Sequence, residues 1–240
     1  MIHRPDLVDA ADIEYHGMPG FPYADLYLGM LERWHNVPNF IEVQLSWSHD
    51  LKQWHRPPTA EPFIGPTFPW NQGWSTCCSS GPIQVGNQLW FYFGGRSDCH
   101  FHVKQAPPQY SAVGLATITV DRFASISAGF MEGKLVTVPM TWPGGDLLLN
   151  ASTTRHHDGY PLDGGGQMQL EVQDEDGRPL GGFCGDDHAV FAGNVPTRGT
   201  VDLATVRWPG DRSLSELAGR RLKLVFHMRD AHLYSFRSSG

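Results

Sequence analysis

The chain of 240 residues carries a formal charge of −7 and is 40% hydrophobic and 18% charged, which suits one large domain or two small ones with packed cores and excludes global disorder. The acidic balance argues against a nucleic-acid partner, which would need a basic face to neutralise phosphates. With 27 Gly, 18 Pro and 12% aromatic residues, turns are many and long helical runs few, so the expected fold class is all-β.

The first strand signal is the apolar run Leu26 to Leu31, closing a Pro/Gly-rich segment. Ile41 to Ser48 alternates with period two. Ile41, Val43, Leu45 and Trp47 fall on one side, and Glu42, Gln44, Ser46 and Ser48 on the other, as in a half-buried strand. Pro82 to Gly95 reads as a hairpin about Gly86-Asn87, with strands Ile83 to Val85 and Leu89 to Phe93. The second of these is apolar on both faces, the mark of a strand buried between layers. Gly114 to Val120 is a further strand.

The character changes near residues 125–140. Asp146 to Asn150 reads as a strand, and Gln167 to Gln173 alternates with Met168, Leu170 and Val172 inward. Asp174-Glu-Asp-Gly177 is a hairpin turn. Ser213-Leu-Ser-Glu216 fits a capping box, with Gly219 as the stop of a single helical turn. Leu222, Leu224, Phe226 and Met228 share one face of a late strand. These signals predict a unit of short sheets over 1–130 and an antiparallel β-sandwich over 131–240.

One unit recurs. Ser48-His-Asp50-Leu-Lys-Gln-Trp54 follows one strand, and Thr117-Ile-Thr-Val-Asp121-Arg-Phe123 follows another. In each, an Asp can accept backbone N–H bonds of the turn while an aromatic tucks under the next strand. Such repetition suggests propeller blades. The string Ser48-x-Asp50-Leu-x-x-Trp54 resembles the blade turn of five-bladed β-propeller glycoside hydrolases, the invertase-like and arabinanase-like enzymes. Gly17 to Tyr23 with Leu26 to Gly29, and Gly86 to Gly95, also look like blade strings of that family. Asp174 to Pro179, Asp211 to Gly219 and Leu222 to Tyr234 look like its appended sandwich. The resemblance implies a partial propeller of about two blades over 1–130, a C-terminal β-sandwich, and action on an oligosaccharide or glycoside. The family's Asn-Asp-Pro and Arg-Asp-Pro motifs are missing from this sequence; Arg4-Pro5-Asp6 has a different order.

Glycoside hydrolysis generally needs two carboxyl groups flanking the bond. Glu14, beside the Gly/Pro segment, and Glu42, on the polar face of its strand, are the candidates for that pair; Asp50 is assigned to its turn, and Asp25 to a loop. Sugars bind by aromatic stacking with planar hydrogen-bonding groups, and Trp70-Asn71-Gln72-Gly73-Trp74 holds both kinds. Tyr23, Trp70, Asn71, Trp74 and Arg96 are the expected substrate contacts; the alternative for the two tryptophans is that they plug the gap between blades. Without the family's first-blade Asp, the competing reading is a non-catalytic carbohydrate-binding or assembly module. Open sheet edges would favour a homo-oligomer.

No metal or other cofactor is expected. Cys77, Cys78, Cys99 and Cys184 form no CxxC pair and no disulfide framework. His100-x-His102 and His156-His157-Asp158 lack a third ligand at a recognisable spacing, and His16, His35 and His49 read as loop or turn residues. Cys77 to Ser80 has no nucleophile elbow around it, and Gly164-Gly-Gly166 lacks the Lys and helix of a phosphate loop. With no apolar run near the roughly 20 residues of a membrane span and no charged-then-apolar leader, no membrane partner and a cytoplasmic location are expected.

Overall fold

Period-two patterning governs the backbone of the computed structural model, which describes residues 3–77, 80–98, 110–153, 155–157, 160–162, 166–192 and 203–240. Every long element among them is a β-strand, and the helical segments described are single 3-10 turns such as Pro69–Asn71 and Leu214–Leu217. None is long and apolar enough to cross a membrane. The chain forms two units, Met1–Ile118 and Thr119–Gly240. The division falls before residue 130 because Ile126–Ala128 pairs with the last strand of the chain.

Unit 1 is one nine-stranded sheet. Its strands are β1 (Ile13–Tyr15), β2 (Gly20–Tyr23), β3 (Leu26–His35), β4 (Phe40–Ser48), β5 (Trp54–His55), β6 (Trp74–Cys77), β7 (Ile83–Val85), β8 (Gln88–Arg96) and β9 (Ser111–Thr119). The order is β1-β3-β4-β6-β8-β7, with β2 on β3, β5 on β4 and β9 on β8. The section from β1 to β5 is antiparallel, as are the β6–β8 and β7–β8 ladders. A single parallel pair, Ile41↔Trp74, joins the two sections.

The β7–β8 hairpin closes through Gly86, whose φ of 61° is the left-handed conformation that a tight turn demands. Leu89, Phe91 and Phe93 are buried, whereas Tyr92 is 39% exposed. One face of β8 is therefore open, where a strand covered on both sides was expected. The turn after β4 is held by Asp50, which accepts the N–H groups of Lys52 and Gln53, both at 2.8 Å. Trp54 then lies under β3, where a Cβ at Gly29 would meet its ring at 2.8 Å.

Unit 2 contains β10 (Ile126–Ala128), β11 (Gly133–Val136), β12 (Met140–Thr141), β13 (Leu147–Ser152), β14 (Arg155–His157), β15 (Tyr160–Leu162), β16 (Gln167–Asp174), β17 (Ala189–Ala192), β18 (Ala204–Thr205), β19 (Arg221–Arg229) and β20 (Ala231–Ser238). A four-stranded sheet runs β10-β20-β13-β18. A five-stranded sheet runs β11-β19-β16-β17 with β12 on β19, and β14–β15 is a separate hairpin. Leu147, Leu149 and Ala151 from the first sheet share one core with Met168, Leu170, Val172, Leu222, Leu224 and Phe226 from the second. Each fully buried Leu or Phe contributes roughly 1.5–3 kcal/mol by leaving water. Ser213 caps the turn into β19 as its sequence predicts. Its Oγ accepts Ser215 N–H at 3.0 Å, and Glu216 accepts Ser213 N–H at 3.2 Å.

Candidate functional site

The register of unit 1 sorts its functional side chains between two faces. Glu14 pairs with Trp34, Trp34 with Ile41, Ile41 with Trp74, and Trp74 with Arg96. Paired residues share a face, so these five form one row across the sheet. Glu42 pairs with Arg33, and Arg33 with Tyr15. That row is one residue displaced and lies on the opposite face. Glu14 and Glu42, the two carboxyls expected to flank a bond, are thus separated by the sheet itself. Glu14 is exposed and accepts a hydrogen bond from Asn36 Nδ2 at 2.7 Å.

Glu42 belongs to a buried ionic cluster. Arg33 is 1% and Glu42 5% exposed. Arg33 Nη2 donates to Glu42 Oε1, and His35 Nε2 lies 2.8 Å from the same oxygen; His35 ends β3 and is not a loop residue. Asp9 reaches the cluster from the N-terminal segment, 3.6 Å from Arg33 Nη1 and 2.6 Å from Arg56 Nη2. Tyr15 Oη donates to Asp9 at 2.8 Å, and Arg56 Nη1 to Gln44 at 3.1 Å. Burial raises the Asp9 carboxyl, but the bonds from Arg56, the Asp6 N–H and Tyr15 outweigh it and leave its proton affinity below the ordinary value. Every charge here has a partner. The cluster ties residues 6–15 to β3 and β4, and its carboxylates are committed to that task.

The opposite face carries an open groove of about 530 Å³, lined by Trp74, Thr76, Gly94, Gly95, Arg96, Ser111, Ala112 and Val113. By alternation Trp74, Thr76, Gly94 and Arg96 point the same way. The absent side chain at Gly94 leaves the floor open beside Trp74. Arg96 Cζ sits 5.9 Å from the Trp74 ring centroid. Its guanidinium is oriented by Asp98 through bonds of 3.1 and 2.7 Å. An aromatic face, an oriented planar donor and two hydroxyls therefore surround one concave surface.

Behind Thr76 lies Glu32. Its carboxyl is on this face, because Glu32 pairs with Val43, two residues along from Ile41. Thr76 Oγ1 donates to Glu32 Oε1. A Cβ at Gly17 would stand 3.1 Å from Oε2, so backbone closes the far side. Burial pushes the Glu32 carboxyl above its ordinary proton affinity.

Of the expected substrate contacts, Trp74 and Arg96 come together in the groove. Trp70 and Asn71 lie on the other side of β6 and β8. Trp70 is stacked between Phe68 and Phe93, with centroids at 5.8 and 5.5 Å, and lies against Gly95, where a Cβ would meet its ring at 2.4 Å. Asn71 is 1% exposed. It accepts from Thr67 N and Phe68 N and donates to Gly65 O and Ser75 Oγ, which uses it up in holding the loop. Tyr23 pairs with Leu26, eight residues along β3 from Trp34, about 26 Å away at the usual strand rise. The apolar run Leu26 to Leu31 stops one residue short of Glu32, whereas β3 continues to His35. The longer strand shows a carboxyl inside the apolar stripe Leu28, Met30, Trp34.

His100, His102, Cys99 and Cys78 lie outside the described residues, as do Asp158 and Gly164-Gly165. Among the described residues no group of three or more His, Cys, Asp or Glu is placed to hold a metal ion. No family model and no curated protein sequence matches this chain.

Proposed function

We propose that unit 1 is a carbohydrate-recognition module that receives an oligosaccharide or glycoside in the groove over Trp74. The observation that carries this reading is the convergence of the Trp74 ring with the Arg96–Asp98 fork and the hydroxyls of Thr76 and Ser111 on one open surface. A pyranose ring offers an apolar C–H face to an aromatic and hydroxyls to planar donors and acceptors, and this groove supplies both. Recognition is favoured over hydrolysis by Glu14 and Glu42 as a pair, because those two carboxyls occupy opposite faces of the sheet. In this reading the two antiparallel sections that meet at the parallel pair Ile41↔Trp74 are propeller-type blades. The two sheets of unit 2 that share one core are its β-sandwich.

The test is calorimetric titration of a panel of oligosaccharides into the wild type, Trp74→Ala and Tyr23→Ala. Removing the Trp74 ring weakens binding at least about tenfold, which corresponds to about 1.4 kcal/mol. Tyr23→Ala leaves the affinity unchanged. Equal affinity of wild type and Trp74→Ala, or no binding of any sugar by the wild type, overturns the reading.

A further inference from the structure

We propose that Glu32 and Thr76 form a proton relay that lets the groove cleave the glycosidic bond of the sugar it holds. Thr76 lines the groove, whereas Glu32 does not. The Thr76 hydroxyl is hydrogen-bonded to Glu32 Oε1; with the carboxyl protonated the bond runs from Glu32 to Thr76, which frees the hydroxyl to donate into the groove. Two further features suit the carboxyl to hold that proton. Gly17 closes on its other oxygen, and burial shifts the carboxyl toward the protonated form. The surroundings of Glu42 are the reverse, with Arg33 and His35 both on Oε1.

The step balances as a hydrolysis. The bond between the anomeric carbon and the glycosidic oxygen breaks, and that oxygen takes the proton of the Thr76 hydroxyl. Thr76 regains a proton from Glu32, leaving the carboxylate. A water supplies hydroxyl to the anomeric carbon and gives its remaining proton to solvent, from which Glu32 is reprotonated. Thr76 is the group in contact with the leaving oxygen. Glu32 is the residue that supplies it, and positioned acid groups of this kind contribute about 10²- to 10⁴-fold in rate.

This inference rests on the groove being the sugar site, and the experiment separates the two. Oligosaccharide binding by calorimetry is measured beside turnover of two glycosides of the same sugar. The methyl glycoside has a poor leaving group that needs the proton, and the dinitrophenyl glycoside has a leaving group that does not. Wild type, Glu32→Gln, Thr76→Val and Thr76→Ser are compared, with folding checked by circular dichroism. The expected result is that Glu32→Gln keeps sugar binding and dinitrophenyl turnover but loses at least about 100-fold on the methyl glycoside, and that Thr76→Val loses at least about 100-fold more on the methyl than on the dinitrophenyl glycoside. Thr76→Ser restores the rate, and the fall in wild-type rate at high pH disappears in Glu32→Gln. Should Thr76→Val fail to fold, the Thr76→Ser rescue is replaced by the Glu32→Gln pH profile as the deciding result. A wild type that binds sugar without cleaving either glycoside overturns the relay alone, as does equal loss on both glycosides. A wild type that binds no sugar overturns the groove reading and the relay with it.

Discussion

Glu32 and Glu42 sit ten residues apart in the chain on adjoining strands, and their neighbours give them opposite work. Glu42 faces Arg33 across a hydrogen-bonded strand pair, and both are almost fully removed from water. Such a pair gains little over an apolar replacement of both members, but the loss of one partner strands the other charge in a low-dielectric interior. Glu42→Ala is therefore expected to cost about 3–5 kcal/mol, read as a lower urea midpoint, while the folded variant keeps its affinity for sugar. A cost below about 1 kcal/mol would show that Arg33 finds water or another acceptor and that the pair is not buried in solution. Glu32 has the converse design. Its bonded neighbour is a neutral hydroxyl, and its burial favours the protonated form, which is a poor arrangement for stability and a useful one for chemistry.

The strands themselves are the most legible level of this molecule, since each is written by residues close in the chain. The Gly86 hairpin, the inward set Met168, Leu170 and Val172, and the Ser213 cap all follow from local rules and are found where those rules put them. The alternating β4 is a strand but not a half-buried one: Glu42, Gln44, Ser46 and Ser48 are buried like Ile41, Val43 and Leu45, because β5 and the segment after it cover the polar face and accept hydrogen bonds from Gln44 and Ser46. The string Ser48-x-Asp50-Leu-x-x-Trp54 carries one further instruction. Asp50 holds the turn, and the turn delivers Trp54 onto β3 at Gly29, where only a residue without a side chain fits. Gly29→Ala would place a methyl 2.8 Å from Trp54 and 2.9 Å from Met18 Sδ. Overpacking of this kind typically costs about 1–3 kcal/mol, so the melting temperature falls; an unchanged melt would mean that Trp54 does not rest on β3. Register was not legible. The placing of Trp74 beside Ile41, and of Glu42 on the face away from Glu14, depends on pairings between distant segments that no local pattern encodes. For the same reason the sequence offered Trp70 and Trp74 as equals, although the 3-10 turn Pro69–Asn71 packs Trp70 against Phe93 while Trp74, the first residue of β6, lines the groove.

Across the molecule, the carboxyls divide by the sign of their contribution to stability against pH. Asp6 is held below its ordinary value by the Arg56 hydrogen bond, Asp50 by the N–H groups of Gln53 and Lys52, and Glu216 by Arg212. Asp9 joins them on balance, and Asp146 is lowered to about 2 by Arg207 and then Ser213. A carboxyl whose folded value is depressed gives its stability above the unfolded value and loses it as pH falls through the folded one. Both units contain such groups, so both weaken in acid. For Asp146 the loss spans the interval from about 3.8 to about 2. Glu32 has the opposite sign. Its folded value is raised, so its contribution is complete below about 4.5 and declines as pH rises above that. Thermal melts of wild type, Asp146→Asn and Glu32→Gln from pH 7 to pH 2 check both signs. Asp146→Asn should melt below wild type at pH 5–7 and converge with it toward pH 2. Glu32→Gln should improve relative to wild type as pH rises from 4 to 7, because the amide carries no charge to desolvate. A deficit in Asp146→Asn that stays constant with pH would show that Arg207 and Ser213 do not bond its carboxylate in solution. A Glu32→Gln curve that runs parallel to wild type would remove the buried carboxyl on which the relay depends.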